Sequence, residues 1–281
     1  MIKIIADTTC GIPLPDLLAL GIEVLPQIVT FENESYRDDT EIDTATFLEK
    51  LRASKELPKT AAPPHSLYQV VYQKTLDEGN EALVLVPSAE VSGTFRSAQI
   101  AAQDFKTDRI QIVDTRTVAG GLGSIVLQAK RWADEGMSMN ELLPKVKSLA
   151  QRERVFFMVP SLEFLHKGGR IGGAAKLFGT LLQLVPILTV QDGKVAPYEK
   201  VRTLKQAEKR MIELVTKICE NNPDPMVTIS HCDNLAGAEK LKKGLEESLG
   251  LKDIPIFLIP PAIVVHAGPE ILTVSCFTQE S

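Results

Sequence analysis

Short apolar runs alternate with longer amphipathic runs in the first half of the chain, and this alternation constrains its fold most strongly. The apolar runs are rich in β-branched residues and predict strands over Ile2–Asp7, Val24–Phe31, Ala82–Ser88 and Ile110–Asp114. The amphipathic runs predict helices over Thr44–Ser54, Ser66–Glu78, Thr94–Phe105 and Gly123–Glu135. Nearly continuous apolar strands that alternate with helices favour a mainly parallel sheet covered on both faces.

The second half has a different pattern, which predicts a mixed or antiparallel α+β domain. Asp192-Gly193 lies between the apolar runs Pro186–Val190 and Val195–Val201 and predicts a hairpin. Further strands are predicted over Arg154–Ser161, Met226–His231, Ile256–Ile259 and Ile271–Phe277, and further helices over Ser138–Glu153, Leu204–Cys219 and Ala236–Leu249. The expected fold class is therefore α/β, with an N-terminal α/β domain over residues 1–155 and a C-terminal α+β domain over residues 156–281.

The charge balance and the apolar run lengths exclude several classes of function. The 281 residues carry 31 basic and 36 acidic side chains, a net charge of −5, which argues against a nucleic-acid binder. The longest apolar runs are about eight residues, too short to span a bilayer, so we expect no stable membrane insertion. The first residues lack the basic region and apolar core of a signal peptide, and we expect a cytoplasmic protein.

The cysteines and histidines do not form a metal-binding pattern. No C-x-x-C pair occurs among Cys10, Cys219, Cys232 and Cys276, and no H-E-x-x-H occurs among the four histidines. We expect the cysteines to be reduced, small and buried, and we expect no metal.

Four polar loops follow predicted strands or precede predicted helices, where open α/β sheets usually bind ligands. They span residues 7–13, 59–64, 87–94 and 166–173. In the third, Ser92 occupies a helix N-cap position and Gly93 would let a ligand approach the backbone. The first helical turn beyond, at Thr94, suits a carboxylate or a phosphate. Each loop also has a purely structural interpretation, as a turn, a helix cap or a flexible connection.

Neither glycine-rich run fits a nucleotide site. Residues 166–173 lack the Lys-Ser/Thr ending of a P-loop and the dinucleotide spacing, and Gly120-Gly121-Leu122-Gly123 fails the same tests. Two further residues outside these loops are candidates for ligand binding. Arg202 follows the second hairpin strand, and His266 precedes Gly268-Pro269 at an expected strand end; either could instead be a solvated or a structural residue.

Taken together, these segments resemble the DegV family of bacterial lipid-binding proteins. The resemblance covers nearly the whole chain, and its strongest single mark is Gly-Gly-Arg-Ile-Gly over residues 168–172. The other matching segments are Ala6-Asp7-Thr8-Thr9, Lys59-Thr60 with Pro63, Ser92-Gly93-Thr94, residues 162–167, Arg202 and His266-Ala267-Gly268-Pro269.

The resemblance implies a two-domain protein that buries one long-chain fatty acid between its domains. It also implies that a separate kinase subunit of a bacterial fatty acid kinase holds ATP and metal and phosphorylates the presented carboxylate. This chain would then be a carrier, with no catalytic residues and no cofactor of its own. By carry-over, Thr60 and Ser92 would bind the carboxylate with help from Gly93, Thr94 and His266. Arg170 and Arg202 would lie near the opening, facing the partner.

The sequence departs from the usual family pattern at three places. Ala61-Ala62 follow Thr60 where relatives usually carry a small polar residue and glutamine, Glu270 replaces a usual glycine, and Cys10-Gly11 replaces Ala-Asp. These changes leave the hydroxyls of Thr60 and Ser92 in place but affect the expected pocket shape, so the preferred acyl chain is undetermined. We expect Leu177–Leu188 and Ile254–Val265 to line the tunnel, although these apolar segments could instead fill the core.

A second hypothesis is a stand-alone serine hydrolase of a lipid or ester substrate, with Ser92 as nucleophile and His266 as base. The nucleophile-elbow motif argues against it, because Glu90 stands where that motif needs glycine.

Overall fold

The computed structural model describes residues 1–179 and 184–280, which form three sheets with helices packed around them. The strands are β1 (Ile2–Asp7), β2 (Glu23–Leu25), β3 (Ile28–Phe31), β4 (Glu34–Arg37), β5 (Lys59–Ala61), β6 (Glu81–Val86), β7 (Ile110–Asp114), β8 (Glu153–Met158), β9 (Val185–Gln191), β10 (Lys194–Val201), β11 (Thr228–His231), β12 (Ile256–Leu258) and β13 (Leu272–Phe277). The α-helices are α1 (Leu14–Ala19), α2 (Thr44–Ala53), α3 (His65–Asp77), α4 (Thr94–Ala102), α5 (Ala119–Asp134), α6 (Met139–Arg152), α7 (Glu163–Lys167), α8 (Leu204–Cys219), α9 (Leu235–Leu249) and α10 (Pro261–Ala267). Two 3₁₀ segments span Thr8–Cys10 and Gly172–Leu177.

The N-terminal sheet has the strand order β2-β1-β6-β7, and all its paired neighbours run parallel. On one face, Val84 packs with Tyr72 of α3 and other buried residues of α3 and α4. On the other face, Leu83 belongs to a core that includes Leu122 of α5 and Val146 of α6. The prediction of a parallel sheet covered on both faces is confirmed.

The predicted strand over Val24–Phe31 is wrong, because the chain changes sheets within it. β2 ends at Leu25 and pairs with β1, whereas β3 begins at Ile28 and belongs to a second sheet. Pro26 has no amide hydrogen to donate to a strand neighbour. The next amide, that of Gln27, donates to Oδ1 of Asp38 at 2.9 Å rather than to a strand.

The second sheet is antiparallel and has the order β4-β3-β5. Lys59–Ala61, which the sequence predicts as part of a loop, is its third strand, so that prediction is wrong. Thr60 lies opposite Val29 of β3. A three-residue strand at the edge of a sheet has too little periodicity to be recognised in a sequence.

The C-terminal sheet has the order β10-β9-β8-β13-β11-β12, and its only parallel pair among the described residues is β11–β12. Met211 of α8 and Leu241 of α9 belong to the core on one face, and the mixed sheet that the sequence predicts is confirmed. The sheet begins at Glu153, close to the predicted boundary. The division into residues 1–155 and 156–281 stays a prediction.

The predicted hairpin is formed by β9 and β10, and its turn contacts the N-terminal half of the chain. Asp192 and Gly193 have φ angles of 52° and 78°, as a tight hairpin turn requires. Oγ of Ser88 donates to the carbonyl oxygen of Gly193 at 2.7 Å. The guanidinium of Arg116 donates to the backbone carbonyl oxygen of Asp192. The turn therefore links the C-terminal sheet to the loops after β6 and β7.

Helix α5 lies between the N-terminal and C-terminal sheets and contacts strands of both. Its glycines make this approach possible. A Cβ atom at Gly120 would lie 2.7 Å from Oγ1 of Thr228, and one at Gly123 would lie 2.6 Å from the carbonyl oxygen of Cys10. The run Gly120-Gly121-Leu122-Gly123 thus serves helix packing. Among the described residues, no helix is both long and apolar enough to cross a bilayer.

A cluster of buried polar side chains lies beneath the first turn of α5. The Thr117 and Ser275 hydroxyls lie beside the Glu153 carboxyl group, and the Thr228 and Ser230 hydroxyls have no hydrogen-bond partner among the described residues. Burial raises the pKa of Glu153 to about 7. The cluster places a titratable carboxyl group in the contact between α5 and the C-terminal sheet, where its ionisation opposes folding.

We expect Glu153→Gln to stabilise the protein at alkaline pH relative to the wild type. The pKa of Glu153 is raised in the folded state, so its contribution to stability is present below the unfolded pKa of 4.5 and is lost as the pH rises through about 7. As the pH rises from 4.5 to above 7, the difference in free energy of unfolding between the variant and the wild type should shift in favour of the variant by on the order of 3 kcal/mol. Urea unfolding of both proteins at pH 4.5 and at pH 8 measures this difference. The exposed variant Glu49→Gln is the control, and an equal difference at both pH values would contradict the expectation.

Candidate functional site

A cavity of about 340 Å³ lies between the carboxyl end of the N-terminal sheet, the face of the C-terminal sheet and α10. This volume falls within the range of small-molecule sites. Most of its wall is apolar, with side chains such as Phe157, Leu165, Val190, Ile259 and Ile263. Its polar lining residues include Thr9, Gln27, Thr60, Ser92, Arg170, His266 and Thr273. The sequence-predicted residues Thr60, Ser92, Gly93, Arg170 and His266 all meet at this cavity.

Thr60 and His266 are in direct contact. Oγ1 of Thr60 and Nε2 of His266 are 2.8 Å apart, and both side chains are half-buried. Thr60 is held by β5, and His266 lies in helix α10. The sequence-based placement of His266 at a strand end is therefore wrong. Pro261 stands at the first position of the helix, where its fixed φ angle and missing amide hydrogen favour a helix start.

His266 is a neutral imidazole at physiological pH. Burial lowers its pKa to about 4, and the positive charge of Arg170 contributes in the same direction. Its Nδ1 atom is buried and has no hydrogen-bond partner among the described residues. A neutral ring can donate one hydrogen bond and accept another, so it can orient a polar ligand group together with Thr60.

The two predicted arginines have different environments. The guanidinium of Arg170 is half-buried at the cavity and donates to the carbonyl oxygens of Val91 and Gly168, at 3.1 and 2.7 Å. Arg202 is exposed and is not among the residues that line the cavity. The neighbouring Lys167 is exposed and forms a 2.6 Å ion pair with Glu163. Of these three basic residues, Arg170 is therefore the one placed to contact a ligand inside the cavity.

Ser92 and Gly93 line the cavity in front of helix α4, but the N-cap position is occupied by Gly93. The prediction that Ser92 is the N-cap is therefore wrong by one residue. Oγ of Ser92 accepts a hydrogen bond from the amide of Thr94 at 3.3 Å and lies 2.9 Å from Oγ1 of Thr94. Thr94 is fully buried behind Ser92 and is not among the residues that line the cavity, although the sequence predicts it as a binding residue.

A buried carboxylate from the first candidate loop, to which the sequence assigns no role in ligand binding, lies behind these hydroxyls. Asp7 is fully buried, and its Oδ1 accepts from the amide of Thr9 at 3.0 Å and from the Thr9 hydroxyl. Its Oδ2 accepts from Nε2 of Gln27 at 2.6 Å and from Oγ1 of Thr94 at 3.0 Å. Burial raises the pKa of Asp7 to about 6 despite these bonds. Its position at the end of β1 was visible in the sequence, but it is equally typical of a turn.

A second buried carboxylate, Asp38, lies close to the first. Its Oδ1 accepts from Oγ1 of Thr8 at 2.7 Å and from the amide of Gln27 at 2.9 Å, while Oδ2 has no partner among the described residues. Burial raises its pKa to about 7, and the nearby charge of Asp7 adds to the shift. No sequence signal marks Asp38 or Gln27, since their partners are distant along the chain.

The predicted tunnel segments contribute unequally. Ile259, Ala262 and Ile263 of the segment Ile254–Val265 line the cavity. In the other segment, residues 180–183 lie outside the described residues, and none of its described residues lines this cavity. Val190 and Val195 of the adjacent hairpin contribute instead.

The chain matches one protein family over almost its full length. A sequence profile of the DegV family, whose members are described as uncharacterised proteins, matches residues 1–279. The chain belongs to the DegV family. A DegV domain-containing protein from Clostridium perfringens is 31% identical to it over 284 residues, covering 100% of this chain and 99% of the relative.

Solved structures of DegV family proteins have the same fold. A protein from Thermus thermophilus, described as a fatty-acid-binding DegV family protein, superposes on this chain with a TM-score of 0.92 and 30% identity, covering 99% of both chains. A fatty acid binding DegV family protein from Streptococcus agalactiae superposes with a TM-score of 0.90 and 27% identity, covering 100% of this chain and 99% of the other. The α/β fold class that the sequence predicts is confirmed.

We expect replacement of the Arg170 charge to raise the pKa of His266 in this DegV family protein. In Arg170→Gln the repulsion between guanidinium and imidazolium is removed, while burial continues to hold the pKa below its ordinary value of 6.5. Arg170→Lys, which keeps a positive charge, should leave the pKa near 4. An NMR titration of the His266 ring measures both. Arg202→Gln is the distant-charge control, and an unchanged midpoint in Arg170→Gln would contradict the expectation.

Proposed function

We propose that this DegV family protein binds one long-chain fatty acid in the cavity and presents its carboxyl group to a separate ATP-dependent kinase subunit. The observation that supports this most strongly is the combination of a mostly apolar cavity wall with a polar end at Thr60, Ser92 and His266. The Thermus and Streptococcus relatives are described as binding fatty acids, which supports the same ligand class.

The affinity would come mainly from the tail and the orientation from the hydroxyls. Each buried methylene contributes roughly 0.8 kcal/mol, whereas a hydrogen bond to a charged group contributes about 1.5–3 kcal/mol. The apolar wall would therefore hold the chain, and Thr60 and Ser92 would fix where its carboxyl group lies. The backbone at Gly93 and Thr94, at the start of α4, would add a partial positive charge beside that group.

The partner kinase would supply nucleotide and metal, and this chain would supply the oriented carboxyl group for acyl phosphate formation. Arg170 supports this role, because a guanidinium at the cavity can bind a developing phosphate charge. The exposed Arg202 is suited to contact with the partner's surface. Such a carrier would work in the cytoplasm, where ATP is available.

The geometry gives no support to the serine hydrolase hypothesis. A serine nucleophile needs a hydrogen-bonded base. The hydroxyl of Ser92 is bonded to Thr94, whereas Nε2 of His266 is bonded to Thr60.

The ligand proposal is tested by organic extraction of the purified protein followed by mass spectrometry. We expect a near-stoichiometric long-chain fatty acid. Thr60→Val and Ser92→Ala should each lower the affinity for stearate by about 10- to 100-fold, since each removes one hydrogen bond to the carboxyl group. Thr30→Val, on the neighbouring strand with its hydroxyl bonded to Ser35, is the matched control. A protein that carries no lipid and does not bind stearate would overturn the proposal.

The presentation step is tested with lipid-loaded protein, ATP, Mg²⁺ and a candidate kinase subunit. Acyl phosphate is trapped with hydroxylamine and measured as the hydroxamate. We expect Arg170→Ala to retain its lipid but to form acyl phosphate more slowly, because the charge that stabilises the transferred phosphoryl group is lost. Lys167→Ala is the neighbouring basic control. A normal rate in Arg170→Ala would show that this arginine has no part in the transfer.

A further inference from the structure

The hydroxyl group of Thr94 has three polar neighbours but only one hydrogen. Nε2 of Gln27 lies at 2.9 Å, Oδ2 of Asp7 at 3.0 Å and Oγ of Ser92 at 2.9 Å. An amide nitrogen donates, so Thr94 accepts from Gln27. An ionised Asp7 only accepts, so the single hydrogen of Thr94 goes to Asp7. Thr94 must then accept its remaining hydrogen bond from Ser92.

This assignment uses the only hydrogen of the Ser92 hydroxyl. Ser92 also accepts from the amide of Thr94 at 3.3 Å, so that only one lone pair, and no hydrogen, is left toward the cavity. A ligand at Ser92 must therefore bring a hydrogen, as an un-ionised carboxylic acid does and a carboxylate does not. The tautomer of His266 does not change this, because His266 is bonded to Thr60 and not to Ser92.

The alternative arrangement places the hydrogen on Asp7. A protonated Asp7 donates to Thr94, Thr94 donates to Ser92, and the Ser92 hydroxyl then donates to a carboxylate in the cavity. The two arrangements hold the same number of hydrogens and the same single negative charge. They differ only in whether that charge lies on Asp7 or on the ligand.

We propose that Asp7 and the carboxyl group of the bound fatty acid share one proton through Thr94 and Ser92, so that binding of a fatty acid anion is accompanied by uptake of one proton. The proposal rests on the proposed function, since it concerns the same carboxyl site. In the forward direction, the ligand O–H gives its proton to Ser92, Ser92 gives its own to Thr94, and Thr94 gives its own to Asp7. The ligand then carries the negative charge and a free lone pair.

The charged surroundings of Asp7 favour a shared proton over two anions. The titratable groups near it are Cys10, Asp38 and Tyr68, and none of them is a cation. Across the cavity, His266 is neutral and the guanidinium of Arg170 is bonded to two carbonyl groups. A second negative charge beside Asp7 would therefore be buried, and no cation is bonded to Asp7 to offset it. The raised pKa of Asp7 agrees with this environment.

Asp7 thereby becomes a positioning residue for the acyl transfer. It does not contact the ligand, but it removes the proton from the oxygen that must attack a phosphoryl group. The hydroxyl chain keeps water out of this step, because Asp7 and Thr94 are fully buried.

The proposal is tested by calorimetric titration of the delipidated protein with myristate and with its neutral amide, tetradecanamide, in buffers of different ionisation enthalpy. For the wild type between pH 7.5 and 9, we expect about one proton taken up per myristate and a Kd that rises about tenfold per pH unit. The amide carries its own hydrogen and does not titrate, so its Kd should be independent of pH.

Two variants separate the proton chain from the rest of the site. Asp7→Asn donates to Thr94 permanently, and Thr94→Val frees the hydrogen of Ser92. Asp7→Asn should bind myristate without proton uptake and with a Kd that no longer depends on pH. Thr94→Val should take up clearly less than one proton, because Ser92 can then donate to a carboxylate while Asp7 keeps its charge. Should Asp7→Asn fail to fold, as judged by circular dichroism, Thr94→Val carries the test. Asp38→Asn changes a buried carboxyl group that has no bond to Ser92 or Thr94, and it should keep the uptake.

Myristate binding without proton uptake by the wild type at pH 8 would overturn the shared proton and leave fatty acid binding intact. The same holds if uptake is lost in Asp38→Asn and kept in Asp7→Asn. If neither myristate nor its amide binds, the proposed function itself fails.

Discussion

The close contact of α5 with two sheets determines where a ligand can lie in this protein. The glycines at the start of the helix bring its backbone against side chains of the C-terminal sheet and against the chain at Cys10. Val118 and Ala119, at the N-terminus of α5, line the cavity. The helix end that packs against both sheets therefore also forms part of the cavity wall.

Local periodicity was enough to predict most of the backbone. Three strands of the parallel sheet, the hairpin and the long helices have strong apolar patterns, and the helix predicted over Leu204–Cys219 has these same ends in the structure. The pattern failed where an element was short or the chain changed direction. Pro26 separates two strands within one apolar run, and the β-branched residues before His266 belong to a short helix that begins at Pro261.

The sequence predicts several residues of the site but not the hydrogen bonds that join them. Thr60, Ser92 and His266 could be named because their segments resemble a known family. The hydrogen bonds behind them could not be predicted, because they join residues far apart in the chain, such as Asp7 with Thr94 and Gln27 with Asp7. A buried carboxylate and a turn-forming aspartate look the same in a sequence. Only the folded arrangement shows that Asp7 is bonded to Thr94 directly behind Ser92.

The hairpin turn limits how the sheets around the cavity could move apart. The bond from Ser88 to the Gly193 carbonyl oxygen joins the two sheets at one side of the cavity, and Ser88 is fully buried there. Together with α5, this bond holds the sheets at two separate points, which opposes a hinge-like separation. A molecule that enters or leaves the cavity would therefore pass away from this turn, with the relative orientation of the sheets preserved.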